Sequence, residues 1–424
     1  MPDASDADPA AANDLAFPAL DGTQSRLIAD AVARAARQGR QAIPKTAKNT
    51  FSLADYQTPF RNQGERSTSW AFAGAAALEA AYKRRYGISL SLSAEYIFHI
   101  GRAFELFPHP ADAPRSDAFL SHFPGCGAVA QLLAQCAVPD EAHAPYFATV
   151  GALERRIERP GCCRPGEPVA QDAVDEFDFG EEHIPLRARL NARYRAADWA
   201  SLGTDPSVTA IENTLLAEYE VIADVFHKCD PVGAHVLLVI GFDRNRQVFL
   251  AKNSWGENAF IEIEYRNDPD WDIRSGFYLV DVRDPALVQH EAAWLGHWRM
   301  SIKGLTGRLL LRRHCDLRDS SDQPTLGTFQ ADGGELEVRG SFRDGGRTLN
   351  MVLAENGQER ALGALAGGEI LARLAMPGGR TVDGVMRDGS PVMLSRHAVP
   401  AAGAVRRAGP CDRTALFSNL KPIC

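Results

Sequence analysis

One stretch limits the folds open to this chain more than any other: a polar loop that runs directly into a long apolar helix. Residues 71–82 are mostly Ala, Leu and aromatic residues, with no β-branched residue, which favours a helix. The preceding residues 67–69 are all Ser or Thr, good N-cap types, so we predict a helix from Ser69 to Tyr86 that stops at Gly87. A side chain at such a start lies near unpaired N–H groups and the positive end of the helix dipole, which stabilise a developing anion. Ser69 is therefore in a suitable place for a nucleophile.

A second informative stretch covers residues 234–265. The continuous apolar run His235-Val-Leu-Leu-Val-Ile240 predicts a strand buried on both faces. A second strand is predicted at Val248–Lys252, followed by Asn253-Ser254-Trp255-Gly256. The alternating residues 259–265 then predict a half-buried strand.

These two stretches resemble the papain (C1) family of cysteine peptidases. The family pattern Gln-Gly-x-Cys-Gly-Ser-Cys-Trp-Ala-Phe is matched at Gln63, Gly64, Trp70, Ala71 and Phe72. The second stretch is similar to the family's His strand and its Asn-Ser-Trp-Gly motif, although the loop after Trp255 is shorter than usual. The resemblance implies an α+β, papain-like two-lobed fold, with a helical lobe and a β-barrel-like lobe.

The resemblance also implies roles for individual residues. Ser69 occupies the nucleophile position, His235 matches the base, and Asn253 matches the residue that orients the base. Gln63 matches the glutamine whose amide, with the backbone N–H of residue 69, holds the oxyanion. Residues expected to support the site or line the substrate cleft are Trp70, Gly125, Gly127 and Trp255.

Serine at position 69 leaves three hypotheses open. The family uses a thiolate paired with imidazolium, and a serine hydroxyl is too weak an acid to form that pair. In the first, the chain is a papain-like homologue whose hydrolysis is weak or lost through a natural or engineered Cys-to-Ser replacement. In the second, it is an active serine variant using Ser69, His235 and Asn253. In the third, it is a peptide-binding pseudopeptidase or interaction module without catalysis. Arg66 replaces the first Cys of the family motif, so the usual disulfide is lost; we expect this to affect stability and not chemistry. Cys126 is expected to be a buried structural thiol.

The remaining sequence predicts the domain organisation. Residues 1–49 read as a disordered tail and an N-terminal helix, either a propeptide remnant or a helix docked on the core. Residues 50–298 form the peptidase-like domain, with an acidic insertion near 150–200. Residues 299–424 form a small antiparallel β domain and tail, with a bridge from Cys424 left open. Six turn signals indicate its hairpins: Asp332-Gly333, Asp344-Gly345, Asn356-Gly357, Gly378-Gly379, Asp383-Gly384 and Asp388-Gly389.

Composition argues against several classes of protein. A net charge of −8 without a basic block argues against nucleic-acid binding, and no apolar run approaches the roughly 20 residues of a membrane span. No CxxC pair indicates structural zinc, and the acidic cluster at 172–182 fits no EF-hand, so we expect no metal or cofactor. Without a recognisable secretory signal the cytoplasm is the expected compartment. The expected ligand is a peptide or protein, and the C-terminal β domain is expected to contact an unknown partner.

Overall fold

The computed structural model describes residues 48–64, 66, 68–103, 125–148, 184–228, 234–256, 260–266, 268–311, 325–332, 334–355, 369–373 and 381–396. The α-helices are α1 (Ser69–Tyr86), α2 (Ala94–Ala103), α3 (Gly125–Gln135), α4 (Leu186–Asn191), α5 (Val208–Leu216) and α6 (Pro285–Val288). The first strands are β1 (Thr50–Ser52), β2 (Ala196–Thr204), β3 (Val221–His227), β4 (Ala234–Asp243), β5 (Val248–Lys252), β6 (Ile261–Glu264) and β7 (Trp271–Val282). The later strands are β8 (Gly296–Ile302), β9 (Leu305–Leu311), β10 (Thr325–Ala331), β11 (Gly334–Arg343), β12 (Thr348–Glu355), β13 (Glu369–Arg373), β14 (Thr381–Met386) and β15 (Pro391–Arg396).

The central helix α1 matches the sequence prediction at both ends. It starts at Ser69 and ends at Tyr86, and Gly87 closes it in the left-handed conformation with φ of 68°. Residues 69–82 are all buried, as expected of a helix that is apolar around most of its circumference. Gly74 lets α3 approach closely, since a Cβ there would lie 2.6 Å from a methyl carbon of Val129.

A seven-stranded antiparallel sheet packs against this helix. Its strand order is β2-β7-β3-β4-β5-β6, with β1 paired to β4. The predicted doubly buried strand is β4, and residues 236–240 on it are at most 1% exposed. The chain is therefore mixed helix and sheet, with the first hydrophobic cluster drawn from residues between Leu53 and Leu295.

The predicted antiparallel β structure at the C-terminal end is a closed barrel of eight strands. Each strand from β8 to β15 pairs with the next, and β15 closes the barrel by pairing with β8. Alternate residues such as Trp298, Met300 and Ile302 are buried inside it. Closure leaves no sheet edge open, so the barrel needs no partner strand to satisfy its backbone.

One of the six predicted turns is wrong. Asp383-Gly384 is not a turn: both residues lie inside β14, where a Cβ on Gly384 would lie 3.1 Å from the carbonyl oxygen of Leu371. A strand glycine at such a close approach carries the same sequence signal as a turn glycine. Within the predicted insertion near 150–200, residues 186–191 form α4 and residues 196–200 begin the edge strand β2. Residues 1–47 and the acidic cluster lie outside the described residues.

The junction between the main sheet region and the barrel buries His290. Burial and the neighbouring Arg347, whose Nε lies 3.3 Å from His290 Nε2, lower the pKa of His290 to about 4. The first barrel strand begins just beyond it at Gly296, within residues that the sequence assigned to the preceding domain. His290 therefore stays neutral in the folded chain near neutral pH.

Protonation of His290 at acid pH should lower the free energy of unfolding. The unfolded chain protonates this imidazole near pH 6.5 and the folded chain only near pH 4, so the free energy of unfolding falls as pH drops through that window. We expect a loss of up to about 2 kcal/mol between about pH 7 and pH 4.5 in urea denaturation, and a shallower pH dependence in His290→Gln. His297→Gln, on the outer barrel wall, controls for the removal of one imidazole. Equal pH dependence in the unmodified chain and His290→Gln would contradict the assignment.

Candidate functional site

Ser69 is the first residue of α1 and is 5% exposed. The residue before it, Thr68, is the N-cap, but its hydroxyl makes no capping bond to the helix. That hydroxyl lies 2.6 Å from the Tyr146 hydroxyl and donates to the Arg66 carbonyl at 3.4 Å. Because Ser69 is the first helical residue, it lies at the positive end of the α1 dipole. The contacts of the Thr68 hydroxyl hold the residue before it in position.

His235 and Asn253 form a buried hydrogen-bonded pair. His235 lies near the start of β4, and Asn253 directly follows the neighbouring strand β5. His235 Nε2 is 2.9 Å from Asn253 Oδ1, and the two side chains belong to residues that are 6% and 5% exposed. Since the amide oxygen can only accept, Nε2 carries the proton, and Nδ1 is the basic nitrogen of the neutral ring.

Two tryptophans cover this pair. The His235 ring centroid lies 4.8 Å from that of Trp255 and 5.7 Å from that of Trp271. The sequence indicates Trp255 through the Asn-Ser-Trp-Gly motif. Trp271 was missed, because it reaches the site only through the pairing of β7 with β3, which places it opposite His227. Both rings lie close to the imidazole, and His235 is 6% exposed.

Gln63 is hydrogen-bonded to Ser254, the residue that follows Asn253. Its backbone N–H donates to the Ser254 carbonyl at 2.7 Å, and the Ser254 hydroxyl donates to Gln63 Oε1 at 2.6 Å. The remaining polar atom of the side chain, Nε2, donates to the Arg66 carbonyl at 2.9 Å. Ser254 and Arg66 were not predicted to hold Gln63; the sequence signal for Ser254 is only its place in the motif.

The start of α1 meets the strands that carry His235 and Asn253. Ala73, one helical turn after Ser69, lines a small cavity together with Val236, Asn253 and Ser254. The N-terminal half of α1 therefore lies against the start of β4 and the residues that follow β5.

The predicted supporting residues have different surroundings. Trp70 is 3% exposed and packs on Phe98 at 5.7 Å, so it lies in the core of the helical side. Gly125 and Gly127 lie in the first turn of α3, and their role in a cleft stays a prediction.

Among the described residues no helix is long and apolar enough to cross a membrane. No group of three His, Cys, Asp or Glu side chains suited to a metal occurs in the part of the chain that the structure describes.

A buried network of charges lies behind the site. Lys252, the residue before Asn253, donates to the Thr58 carbonyl at 2.8 Å, and Thr58 Oγ1 donates to Glu79 on α1. Arg61 also donates to Glu79, at 3.2 Å. Burial lowers the pKa of Lys252 to about 8, and the nearby Glu79 carboxylate opposes that change.

Comparison with known proteins gives distant likenesses. No protein-family model matches this chain. Gamete and mating-type specific protein A of Dictyostelium discoideum is 24% identical over 230 residues, which cover 52% of this chain and 43% of that protein. The uncharacterized peptidase C1-like protein L477 of Acanthamoeba polyphaga mimivirus is 31% identical over 61 residues, covering 13% of this chain and 20% of that protein. The chain spans less than half the length of either curated relative.

Comparison with solved structures also finds similarity at low sequence identity. Xylellain, a cysteine protease from Xylella fastidiosa, has a TM-score of 0.39 at 15% identity and covers 56% of this chain and 87% of its own. The Carica candamarcensis cysteine protease CMS1MS2 has a TM-score of 0.36 at 18% identity and covers 56% of this chain and 100% of its own. The neighbours are papain-like cysteine proteases. Their TM-scores are below 0.5, so the functional argument depends on the geometry of the site itself.

Proposed function

We propose that this chain has a papain-like peptidase cleft that binds extended peptide segments, and that replacement of the nucleophilic cysteine by Ser69 leaves hydrolysis weak or lost. The observation that carries the proposal is the buried His235–Asn253 hydrogen bond of 2.9 Å next to Trp255. Nucleophilic acyl transfer requires a base oriented in this way, and the proposal pairs it with Ser69 at the N-terminus of α1. The helices α1 to α3 and the seven-stranded sheet would form the two lobes on either side of the cleft.

Each residue has a role in this proposal. Ser69 stands where the nucleophile attacks, and Nδ1 of His235 is the nitrogen available as base. Asn253 orients the imidazole through Nε2. Gln63 and the backbone N–H of residue 69 are the donors for the oxyanion, and the Ser254 hydroxyl holds the Gln63 side chain in place.

Weak or absent hydrolysis follows from the chemistry of oxygen. A thiol with a free pKa of about 8.5 can be converted to a thiolate by an adjacent imidazolium, but a serine hydroxyl cannot. Ser69 would have to lose its proton to His235 during the attack itself, in a site whose family arrangement suits the longer bonds of sulfur. Loss of a triad nucleophile can lower kcat by about 10⁶-fold, with about 10³–10⁴-fold over water remaining from binding and the oxyanion hole.

A second candidate function is peptide binding without any catalysis. The specific observation in its favour is that Gln63 Nε2 already donates to the Arg66 carbonyl at 2.9 Å. One of the two amide protons is then engaged within the protein, and only the other is available to an oxyanion. A cleft that only binds peptides needs no oxyanion donor and tolerates this arrangement, whereas catalysis would use the amide proton that remains.

Restoring the thiol tests the proposal. The unmodified chain and Ser69→Cys are each incubated with a mixed peptide library and with an epoxide inhibitor of thiol proteases. We expect cleavage and covalent labelling at residue 69 only in the Cys variant. If the variant binds peptides but neither cleaves them nor labels, the binding module is the correct function; if it does not bind them either, the whole proposal is wrong. Cleavage by the unmodified chain that disappears in His235→Ala would establish an active serine variant instead.

A further inference from the structure

Arg66 is buried beside the segment that joins Gln63 to Ser69. Its side chain is 2% exposed, and that of Glu95, on α2, is 6% exposed. Arg66 Nη2 donates to Glu95 Oε1 at 3.2 Å, and Nη1 donates to Glu95 Oε2. Two contacts from one planar guanidinium to one carboxylate fix the orientation of both side chains.

Aromatic rings enclose this ion pair. The guanidinium carbon of Arg66 lies 4.9 Å from the centre of the Phe98 ring and 5.1 Å from that of Tyr146. The backbone of Phe147 adds two weaker contacts, from Arg66 Nη1 to its carbonyl and from its N–H to Glu95 Oε2, both at 3.4 Å. These contacts and its 2% exposure leave the Arg66 side chain little room to move.

The backbone carbonyl of Arg66 accepts three hydrogen bonds from the segment that joins Gln63 to Ser69. It accepts from Gln63 Nε2 at 2.9 Å, from Thr68 N–H at 2.8 Å and from Thr68 Oγ1 at 3.4 Å. The Tyr146 hydroxyl completes the arrangement by donating to the Gln63 carbonyl at 2.8 Å. Because side chain and carbonyl belong to one residue, fixing the guanidinium also fixes the acceptor that orients the Gln63 amide.

We propose that the buried Arg66–Glu95 pair is a positioning device that sets the Gln63 amide for the oxyanion. Arg66 and Glu95 are positioning residues, since neither is placed to touch substrate. This inference rests on the proposed function, which gives the orientation of Gln63 its purpose. It also changes the sequence-based expectation, under which Arg66 affects stability alone.

The test variant removes both charges together. Arg66→Met with Glu95→Leu leaves no uncompensated charge in the interior, so folding should be retained. The matched control is Arg84→Met with Glu220→Leu, which removes a second buried pair at the other end of α1, where Arg84 Nη1 contacts both Glu220 oxygens at 2.8 Å. Arg66→Lys keeps the positive charge but cannot make the bidentate contact with Glu95, so it should give an intermediate effect.

The first measurement needs no catalysis. In NMR spectra of the otherwise unmodified chain, the side-chain amide of Gln63, assigned with Gln63→Ala, should show slow proton exchange. In the Arg66/Glu95 double variant its proton exchange should become faster and its shifts should change, because the residue 66 carbonyl is no longer held in place, and the Arg84/Glu220 control should leave both unchanged. An unaltered Gln63 signal in the double variant would overturn the inference.

The second measurement is made in the Ser69→Cys background. We expect the Arg66/Glu95 replacement to lower kcat/KM for peptide hydrolysis by about 10- to 100-fold through the displaced oxyanion donor. Alkylation of the introduced thiol by chloroacetamide forms no oxyanion, and its rate should change by less than about threefold. When Gln63→Ala is also present, the same replacement should cause no further loss of hydrolysis, because the two changes act on one interaction.

Two kinetic outcomes would also overturn the inference. One is an equal loss of hydrolysis and alkylation, and the other is a loss that adds fully to that of Gln63→Ala. If Ser69→Cys hydrolyses nothing at all, the proposed peptidase chemistry fails, and the NMR result still decides whether Arg66 and Glu95 position Gln63.

Discussion

Ser69→Cys is expected to raise kcat/KM for peptide hydrolysis by about 10³-fold or more over the unmodified chain. The introduced thiol would stand at the N-terminus of α1, and the proposed function requires it to lie within reach of His235. Both the helix dipole and the imidazolium favour a thiolate, so its pKa should fall well below the free value of about 8.5. A fluorogenic peptide assay across pH should show a rate that rises with formation of this ion pair and falls when His235 loses its proton.

Two matched variants test whether the gain in kcat/KM comes from the proposed site. Ser69→Cys combined with His235→Ala should lose the gain, because no base remains to form or use the thiolate. Ser69→Ala gives the background without any nucleophile at this position. If Ser69→Cys is no faster than Ser69→Ala, the cleft lacks a competent acyl-transfer geometry, and the peptidase part of the proposal is wrong. Peptide mapping of the inhibitor adduct locates the reactive thiol.

Glu79→Ala should be the most destabilising single replacement in the charge network behind the site. Glu79 is 1% exposed and accepts hydrogen bonds from Thr58 Oγ1, from Arg61 and from the Leu92 N–H at 2.7 Å. Without its carboxylate, Arg61 and Lys252 would lose a buried anion that offsets their positive charges. Removing one partner of a buried ion pair typically lowers the free energy of unfolding by about 3–5 kcal/mol.

Urea denaturation of Glu79→Ala measures this effect. The control is Glu262→Ala, which removes a carboxylate from the exposed pair with Arg246 and should cost at most about 1 kcal/mol. Glu79→Gln keeps the shape and one acceptor oxygen, so it separates the loss of charge from the loss of volume. A decrease below about 1 kcal/mol in Glu79→Ala would show that the network contributes little to stability.

Much of the local structure was predictable from the sequence. Helix α1 begins and ends at the predicted residues. Ser93, a residue type that favours helix starts, precedes α2 and accepts from the Tyr96 N–H at 2.9 Å. Strand β5 has the predicted bounds Val248–Lys252. These features depend on the preferences of consecutive residues, such as the helix propensity of alanine and the left-handed conformation of Gly87.

Features that depend on distant contacts were not predictable. Gly384 has the sequence signal of a turn glycine but lies in a strand, where the close approach of β13 leaves little room for a Cβ. Trp271 and Ser254 reach the site through strand pairing and a loop contact. The closure of the barrel likewise depends on pairing β15 with β8, strands separated by most of the C-terminal region.

The sequence by itself determined the candidate reactive groups and the elements that carry them: Ser69 at a helix start, His235 on a buried strand and Asn253 just after the next one. The tertiary structure alone decided how these groups are held. The Asn253 hydrogen bond to His235, the Ser254 bond to Gln63 and the Arg66–Glu95 pair join residues far apart in the chain. Local patterns report the conformation of consecutive residues, whereas such contacts depend on the packing of α1 against the sheet.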